Sequence, residues 1–169
     1  MRNTEEAFRY MENISIWETS KFSDFWSYLF LLTQEGLLTW IWYVLVVKIL
    51  GGKNSKLVII KNNKEIIGGF LMTDFPLVKY KPYNWFKKEA QLKIKELIKN
   101  GYQYFCCFLV KGAFRGKGIG TFVFEQYLKK NNKKIYFTSS SRAESFYIRN
   151  GAKVFYKSKY NIYVFNGNK

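Results

Sequence analysis

Short runs in which apolar side chains alternate with polar ones interrupt longer runs in which they recur three and four positions apart. The two periods together predict a chain of strands and helices. Residues 14–17, Ile14-Ser15-Ile16-Trp17, alternate weakly and predict a first strand. Residues 23–32 and then 37–50 predict two consecutive helices, parted at Gly36 and stopped by Gly51-Gly52. Residues 57–60 and 65–72 are rich in branched and aromatic side chains, and Lys61-Asn62-Asn63-Lys64 between them predicts a hairpin turn. Pro76 and Pro82, the only prolines, both fall within 74–84, which reads as loop. In residues 85–100, Phe86, Ala90, Ile94, Leu97 and Ile98 keep helical spacing amid Lys and Glu, an amphipathic helix closed by Asn100-Gly101.

Residues 102–111 are mostly aromatic and aliphatic and predict a central strand buried on both faces. After a glycine-rich turn, residues 121–130 place Phe122, Phe124, Tyr127 and Leu128 at helical spacing. A strand at 134–138, a helix at 141–150 closed by Gly151, and strands at 153–156 and 161–165 complete the chain. The order is β-α-α-β-β-α-β-α-β-α-β-β, which predicts an α/β (α+β) fold with helices against a mixed sheet. No repeat, Pro-rich linker or low-complexity tract divides residues 1–169, and 48% hydrophobic residues suffice to fill one core, so a single domain is expected.

Charge adds a partner class. The net charge is +16, and residues 101–169, with 13 basic and 2 acidic side chains, hold +11 of it. A surface of that strength points to phosphate, on nucleic acid, a nucleotide-like cofactor or a headgroup. Asn, Ile, Tyr and Phe, which share A/T-rich codons with Lys, are abundant too, so genomic base composition is a second reading of the overall charge. It does not account for the concentration in the C-terminal part. The chain has no His and two Cys, Cys106 and Cys107, which rules out Ser-His-Asp and Cys-His catalysis and leaves no ordinary zinc ligand set, so no metal site is expected. Neighbouring side chains on an extended strand face opposite ways, and the two thiols are therefore expected to be separate core residues. The N-terminus MRNTEEAFRYMEN lacks the apolar core of a signal peptide. The apolar run 37–47, closed by Gln34-Glu35 and Lys48, falls short of the roughly 20 residues that span a bilayer. A cytoplasmic protein without membrane contact is the expectation.

The densest chemistry lies in Val110-Lys111-Gly112-Ala113-Phe114-Arg115-Gly116-Lys117-Gly118-Ile119-Gly120, between a predicted strand and a predicted helix. Glycine lets a backbone approach a ligand, and the free N–H groups of a helix N-terminus attract anions. Lys111, Arg115 and Lys117 add full charges to that partial one, a combination suited to a pyrophosphate. The Walker pattern fails, because no Gly-Lys-Ser/Thr follows at its spacing. The dinucleotide fingerprint fails as well, since Gly116, Gly118 and Gly120 stand at every second position and no acidic residue lies about 20 further on.

Arg115-Gly116-Lys117-Gly118-Ile119-Gly120 fits R-x-x-G-x-G and resembles the acetyl-CoA pyrophosphate loop of the GNAT N-acetyltransferase superfamily. That family reads V-x-P-x-[YF]-R-G-x-G-I-G after its fourth strand; Val110, Phe114, Arg115, Gly116, Gly118, Ile119 and Gly120 match, and Gly112 stands in place of the Pro. A second element, A-x-x-[FL]-Y-x-x-x-G, matches Ala143, Phe146, Tyr147 and Gly151, followed by Ala152 where an aromatic is common. The resemblance spans residues 14–165, leaves 1–13 as a lead, and marks 73–101, with its helix between the third and fourth strands, as an insertion.

The resemblance implies direct attack of an acceptor's primary amine on the thioester of acetyl-CoA, through a tetrahedral intermediate. It places the pyrophosphate on the backbone of residues 116–120, with Leu109, Val110 and Lys111 beside the pantetheine arm. It makes Tyr147 the general acid for the departing thiolate, although a helix-borne Tyr is equally a packing residue. Many relatives carry a Glu base in the central strand; residues 102–111 hold no acid, so Asp74, Glu65 or water is left for that task. Trp40, Trp42 and Tyr43 lie in the segment that walls the acceptor site in similar proteins, with core packing as their other reading. Two rival functions remain at this stage. In one the basic run Lys129-Lys130-Asn131-Asn132-Lys133-Lys134 docks RNA, such as a charged tRNA whose amine is acylated, and in the other the chain is an acyl-CoA sensor without catalysis. A homodimer is compatible with the sequence.

Overall fold

A computed structural model describes residues 11–38, 41, 44–45, 55–74, 88–139, 141–157 and 161–167, with Ser141 and Arg142 as backbone only. The strands β1 (Ile14–Thr19), β2 (Ser55–Asn62), β3 (Glu65–Thr73), β4 (Gln103–Val110), β5 (Lys134–Thr138), β6 (Lys153–Tyr156) and β7 (Ile162–Asn166) form one sheet. Their order is β1-β2-β3-β4-β5-β7-β6, and every neighbouring pair is antiparallel except β4–β5. The hairpin strands run further than their most apolar stretches, so the β2–β3 turn shrinks to Asn63-Lys64. Asn63 takes the left-handed backbone, φ 54°, that such turns require and that Asn tolerates.

Helices cover the two faces. On one face α1 (Phe22–Gln34) sets Phe25, Tyr28, Leu29, Leu31 and Leu32 against Leu57, Ile59, Leu71 and Leu109, and Val44 joins this cluster. Beside it α2 (Lys88–Lys99), the helix between β3 and β4, sets Ala90, Ile94 and Leu97 against Tyr136 and Ile162. On the other face lie α3 (Ile119–Val123), which runs on as a π-helical segment (Phe124–Lys129), and α4 (Ser141–Arg149). They enclose Val58, Ile60, Phe70, Phe105, Phe137 and Tyr163. A sheet covered on both faces explains why β2 and β3 read as near-continuous apolar runs. Most of the helix expected at 37–50 falls outside the described residues; Leu38, Ile41, Val44 and Leu45 are helical.

The sheet is irregular at β4. Leu71 pairs with Cys106 and Gly69 with Leu109, so Phe70 alone faces both Cys107 and Phe108, and Cys107 adopts φ 56°. This is a β-bulge, and it corrects the expectation that Cys106 and Cys107 face opposite ways. The extra residue interrupts the alternation, both side chains join the α1-side cluster, and their thiols are neighbours. The Tyr28 hydroxyl, fully buried on α1, is shared between the bulge carbonyl of Cys107 and the Gly69 carbonyl, the latter at 3.2 Å.

From Phe105 on, just ahead of the bulge, β4 and β5 part. They pair only at Gln103 with Ile135 and Tyr104 with Tyr136, although β4 continues to Val110 and β5 to Thr138. Tyr28→Phe leaves the Cys107 and Gly69 carbonyls without their buried donor. Urea unfolding of this variant is expected to show a loss of about 1–3 kcal/mol; a midpoint equal to that of the wild type would mean that the strand pairing alone holds the bulge.

Candidate active site

The gap between β4 and β5 leads from the glycine loop to the fork at Tyr104 and Tyr136. Past Val110 the chain makes one 3-10 turn (Gly112–Phe114), and buried Phe114 and Ile119 anchor the loop in the core on either side of the glycines. Gly116 (φ 73°) and Gly118 (φ 80°) occupy left-handed backbone, and Gly118 caps α3. The first helical bond runs from the Phe122 N–H to the Gly118 carbonyl, 2.9 Å, so the N–H groups of residues 119–121 have no partner within the helix. Gly120 serves packing: a Cβ there would lie 2.8 Å from Cζ of Phe146, so its absence lets α3 and α4 approach closely.

The backbone of β4 divides its hydrogen bonds by residue parity. Lys111 N–H donates to the Ile67 carbonyl at 2.7 Å, and Leu109 pairs with Gly69, so both turn their main chain toward β3. Alternation then turns the main-chain groups of Val110 away from β3 and toward the gap. Of the three residues expected beside the pantetheine arm, Val110 is the one whose backbone faces it, and its carbonyl accepts from Arg115 Nε at 2.8 Å.

Each cation of the loop has a neighbour. Arg115 Nη2 lies 2.5 Å from the Glu35 carboxylate, which also accepts the Gly112 N–H at 2.9 Å. Lys111 pairs with Glu65 at 2.6 Å, and Lys117 Nζ stands 5.3 Å above the Phe114 ring. Glu35 has no counterpart in the sequence reading, yet it ties the end of α1 to the loop. The signal for it is electrostatic: Glu35 is the C-cap of α1, where the helix dipole disfavours a carboxylate unless a partner elsewhere compensates.

Helix α4 spans the gap. Phe146 stacks on Phe108 of β4 with ring centres 6.2 Å apart, and Tyr147 leans on Phe137 of β5 at 4.3 Å. Burial among these rings pushes the Tyr147 phenol above its ordinary value, so it stays protonated at neutral pH. Glu65 and Asp74 end on opposite ends of β3. Glu65 lies with Lys111 near the loop, whereas Asp74 follows Thr73, the residue paired with Tyr104 at the fork. The Cys107 thiol is pushed well up by burial, which keeps it an inert core group. Trp40, Trp42 and Tyr43 lie outside the described residues. In the basic run, Lys129 pairs with Glu125, Lys133 with Glu18, and Lys134 lies 5.9 Å from the Tyr102 ring.

No protein-family model matches this sequence, and no curated protein does either. Solved structures do match. FeeM, an N-acyl amino acid synthase from uncultured soil microbes, superposes with TM-score 0.63 over 92% of this chain and 91% of its own, at 8% identity. The fold is that of the GNAT acetyltransferases. A GNAT-family acetyltransferase from Staphylococcus aureus Mu50 gives TM-score 0.57 at 13% identity over 92% of this chain and 99% of its own. An aminoglycoside 6'-N-acetyltransferase complexed with coenzyme A gives 0.60 at 13% identity over 92% and 97%. Within this GNAT fold, the glycine loop precedes α4 in the order of the two sequence motifs, and the strand gap between them is a feature the sequence reading did not contain. Among the described residues, no helix is long and apolar enough to cross a membrane.

Gly120→Ala tests how tightly α4 is set. The added methyl meets Phe146 and must displace it from Phe108, so overpacking is expected to cost about 1–3 kcal/mol in thermal unfolding. An unchanged Tm would mean that α4 shifts freely.

Proposed function

We propose that this protein transfers an acyl group, acetyl in the first instance, from acyl-CoA to a primary amine. The observation that carries the reading is the gap between β4 and β5, entered from a glycine loop at a helix start and closed at its far end by a fork. The similar structures support it, one named as an N-acyl amino acid synthase and one as an N-acetyltransferase complexed with coenzyme A.

In this reading the backbone N–H groups of Gly116, Lys117, Gly118, Ile119 and Gly120 cradle the pyrophosphate. Arg115, Lys111 and Lys117 lend charge; exposed ion pairs are worth at most about 1 kcal/mol, so a phosphate readily takes over part of the bonding that Glu35 and Glu65 now supply. The pantetheine amides lie along β4, where the Val110 main chain faces the gap, its carbonyl shared with Arg115 Nε, while Leu109 and Lys111 brace that strand against β3. The arm enters the gap beneath α4 and brings the thioester toward the fork.

The amine nitrogen attacks the thioester carbonyl carbon, and the tetrahedral intermediate collapses with cleavage of the C–S bond. The proton lost by the nitrogen passes to the Asp74 carboxylate, directly or through water. The proton gained by the departing CoA thiolate comes from the Tyr147 hydroxyl, whose raised pKa keeps it a donor across the neutral range.

Calorimetry with acetyl-CoA tests the binding half. Wild type is expected to bind, and Gly118→Val is expected to abolish binding, because a branched side chain both strains the φ 80° backbone and fills the approach to the phosphates. Equal affinity in the two proteins would overturn the loop assignment. For catalysis, Tyr147→Phe keeps the ring on Phe137 and removes the donor, so kcat is expected to fall about 10²–10⁴-fold with acetyl-CoA affinity unchanged. A change of less than about threefold would take Tyr147 out of the proton path, since general acid contributions lie well above that.

A further inference from the structure

Helix α1 presses one face into the sheet and leaves the opposite one uncovered. On the outer face Phe22, Trp26 and Phe30 recur at every fourth residue and are 72%, 52% and 64% exposed. Positions four apart are neighbours on a helix, so the three rings form one stripe. Phe22 and Trp26 already meet edge to face, with ring centres 5.6 Å apart. Single exposed apolar residues need no explanation, whereas a contiguous aromatic patch marks a surface that something covers.

Beside the stripe runs an open groove of about 610 Å³. Trp26, Phe30 and Gln34 of α1 form one wall, and Lys61, Lys64 and Ile66 of the β2–β3 hairpin form the other. Its two carboxylates are engaged within the protein. Asp24 is buried, accepts from Thr19 Oγ1 at 2.8 Å and lies 3.6 Å from Lys61, while Glu65 pairs with Lys111. Lys64 is exposed and makes no ion pair among the described residues. Lys21, exposed as well, stands one position ahead of Phe22. Uncommitted positive charge thus borders the aromatic stripe on the groove side and at its N-terminal end.

We infer that this face docks on an anionic phospholipid surface: Phe22, Trp26 and Phe30 enter the interfacial zone of the bilayer, and Lys64 holds a headgroup phosphate at the groove. Aromatic rings favour the headgroup level, and a lysine stem lies along apolar surface while its ammonium stays among the phosphates. The inference goes beyond the acyltransferase reading and does not depend on it. The expectation of no membrane contact rests on the short span of the apolar run 37–47, but a helix lying on a membrane needs an exposed apolar face flanked by cations rather than the length to cross. Docking costs no unfolding, because Phe25, Tyr28 and Leu29 keep the inner face of α1 on the sheet. Charge decides between a lipid surface and a second copy of the chain. Two copies at +16 each repel, whereas an anionic bilayer attracts either of them.

Flotation of the full chain with vesicles of equal parts phosphatidylglycerol and phosphatidylcholine tests the inference, with pure phosphatidylcholine vesicles for comparison. The wild type is expected to bind the anionic vesicles, and to bind the neutral ones about tenfold more weakly or worse. Trp26→Ala/Phe30→Ala is expected to weaken binding to the anionic vesicles about tenfold or more with Tm unchanged, since both rings stand in solvent. Lys64→Gln, on the opposite wall of the groove, is expected to weaken it about fivefold. A wild type that does not float with anionic vesicles overturns the inference. So does a double variant that floats as well as the wild type, which would move the lipid contact to another surface, or one whose Tm falls, which would make the rings part of the core. Undiminished binding by Lys64→Gln overturns the role of the groove. A wild-type dimer in sedimentation equilibrium that the double variant dissolves would give the stripe to a second copy and overturn the lipid assignment.

Discussion

A single extra residue interrupts β4 just past the point where it leaves β5, and the hydroxyl of Tyr28 reaches from α1 to the carbonyl of that residue. The bulge needs room on the neighbouring strand, and Gly68 and Gly69 of β3 supply it. A Cβ on Gly68 would collide with the Leu109 carbonyl, and one on Gly69 would lie 2.7 Å from the Val58 carbonyl and 2.9 Å from the Tyr28 ring. Tyrosine, glycine pair and bulge therefore form one unit, in which no member can change without the others giving way. The direction of Val110 follows from it, because the extra residue reverses the alternation of every β4 residue after it.

The same helix acts a second time at its other end. Glu35, one position past α1, holds the Gly112 N–H and the Arg115 guanidinium, while Tyr28 holds the strand that leads into that loop. The two contacts lie about two helical turns apart, roughly 10 Å at 1.5 Å per residue, so α1 works as a brace along the length of the site. Exposed ion pairs contribute little stability, and what Glu35 and Glu65 provide is placement: the cations of the loop are held near the glycines without being buried.

Much of this was readable from local pattern. The glycine loop, the Ala143–Gly151 element and the order of strands and helices depend on residues close in sequence, and their spacing carries the information. The bulge does not, because it is a mismatch between two strands separated by the whole of α2. Nothing in Phe-Cys-Cys-Phe distinguishes a regular strand from an interrupted one, and strict alternation therefore put Cys106 and Cys107 on opposite faces. Glu35 was hidden by its distance from Arg115. The length of β2 was underestimated because Lys61 and Asn62 are polar residues recruited into strand by pairing with Ile66 and Glu65.

The β4–β5 junction joins an N-terminal antiparallel meander, β1 to β4, to a C-terminal sheet of β5, β7 and β6, and it does so by two paired positions. Backbone bonding thus does little to keep the halves in one plane; the aromatic side chains of α4, resting on β4 through Phe146 and on β5 through Tyr147, act as the splint. A ligand lying in the gap adds main-chain bonds along the interrupted seam, so occupancy and cohesion become parts of one equilibrium and the folded sheet is strengthened by whatever it holds. In mechanical terms the molecule is a two-leaf structure whose hinge is the fork, and a ligand bound in the gap, as proposed, would be its third fastening.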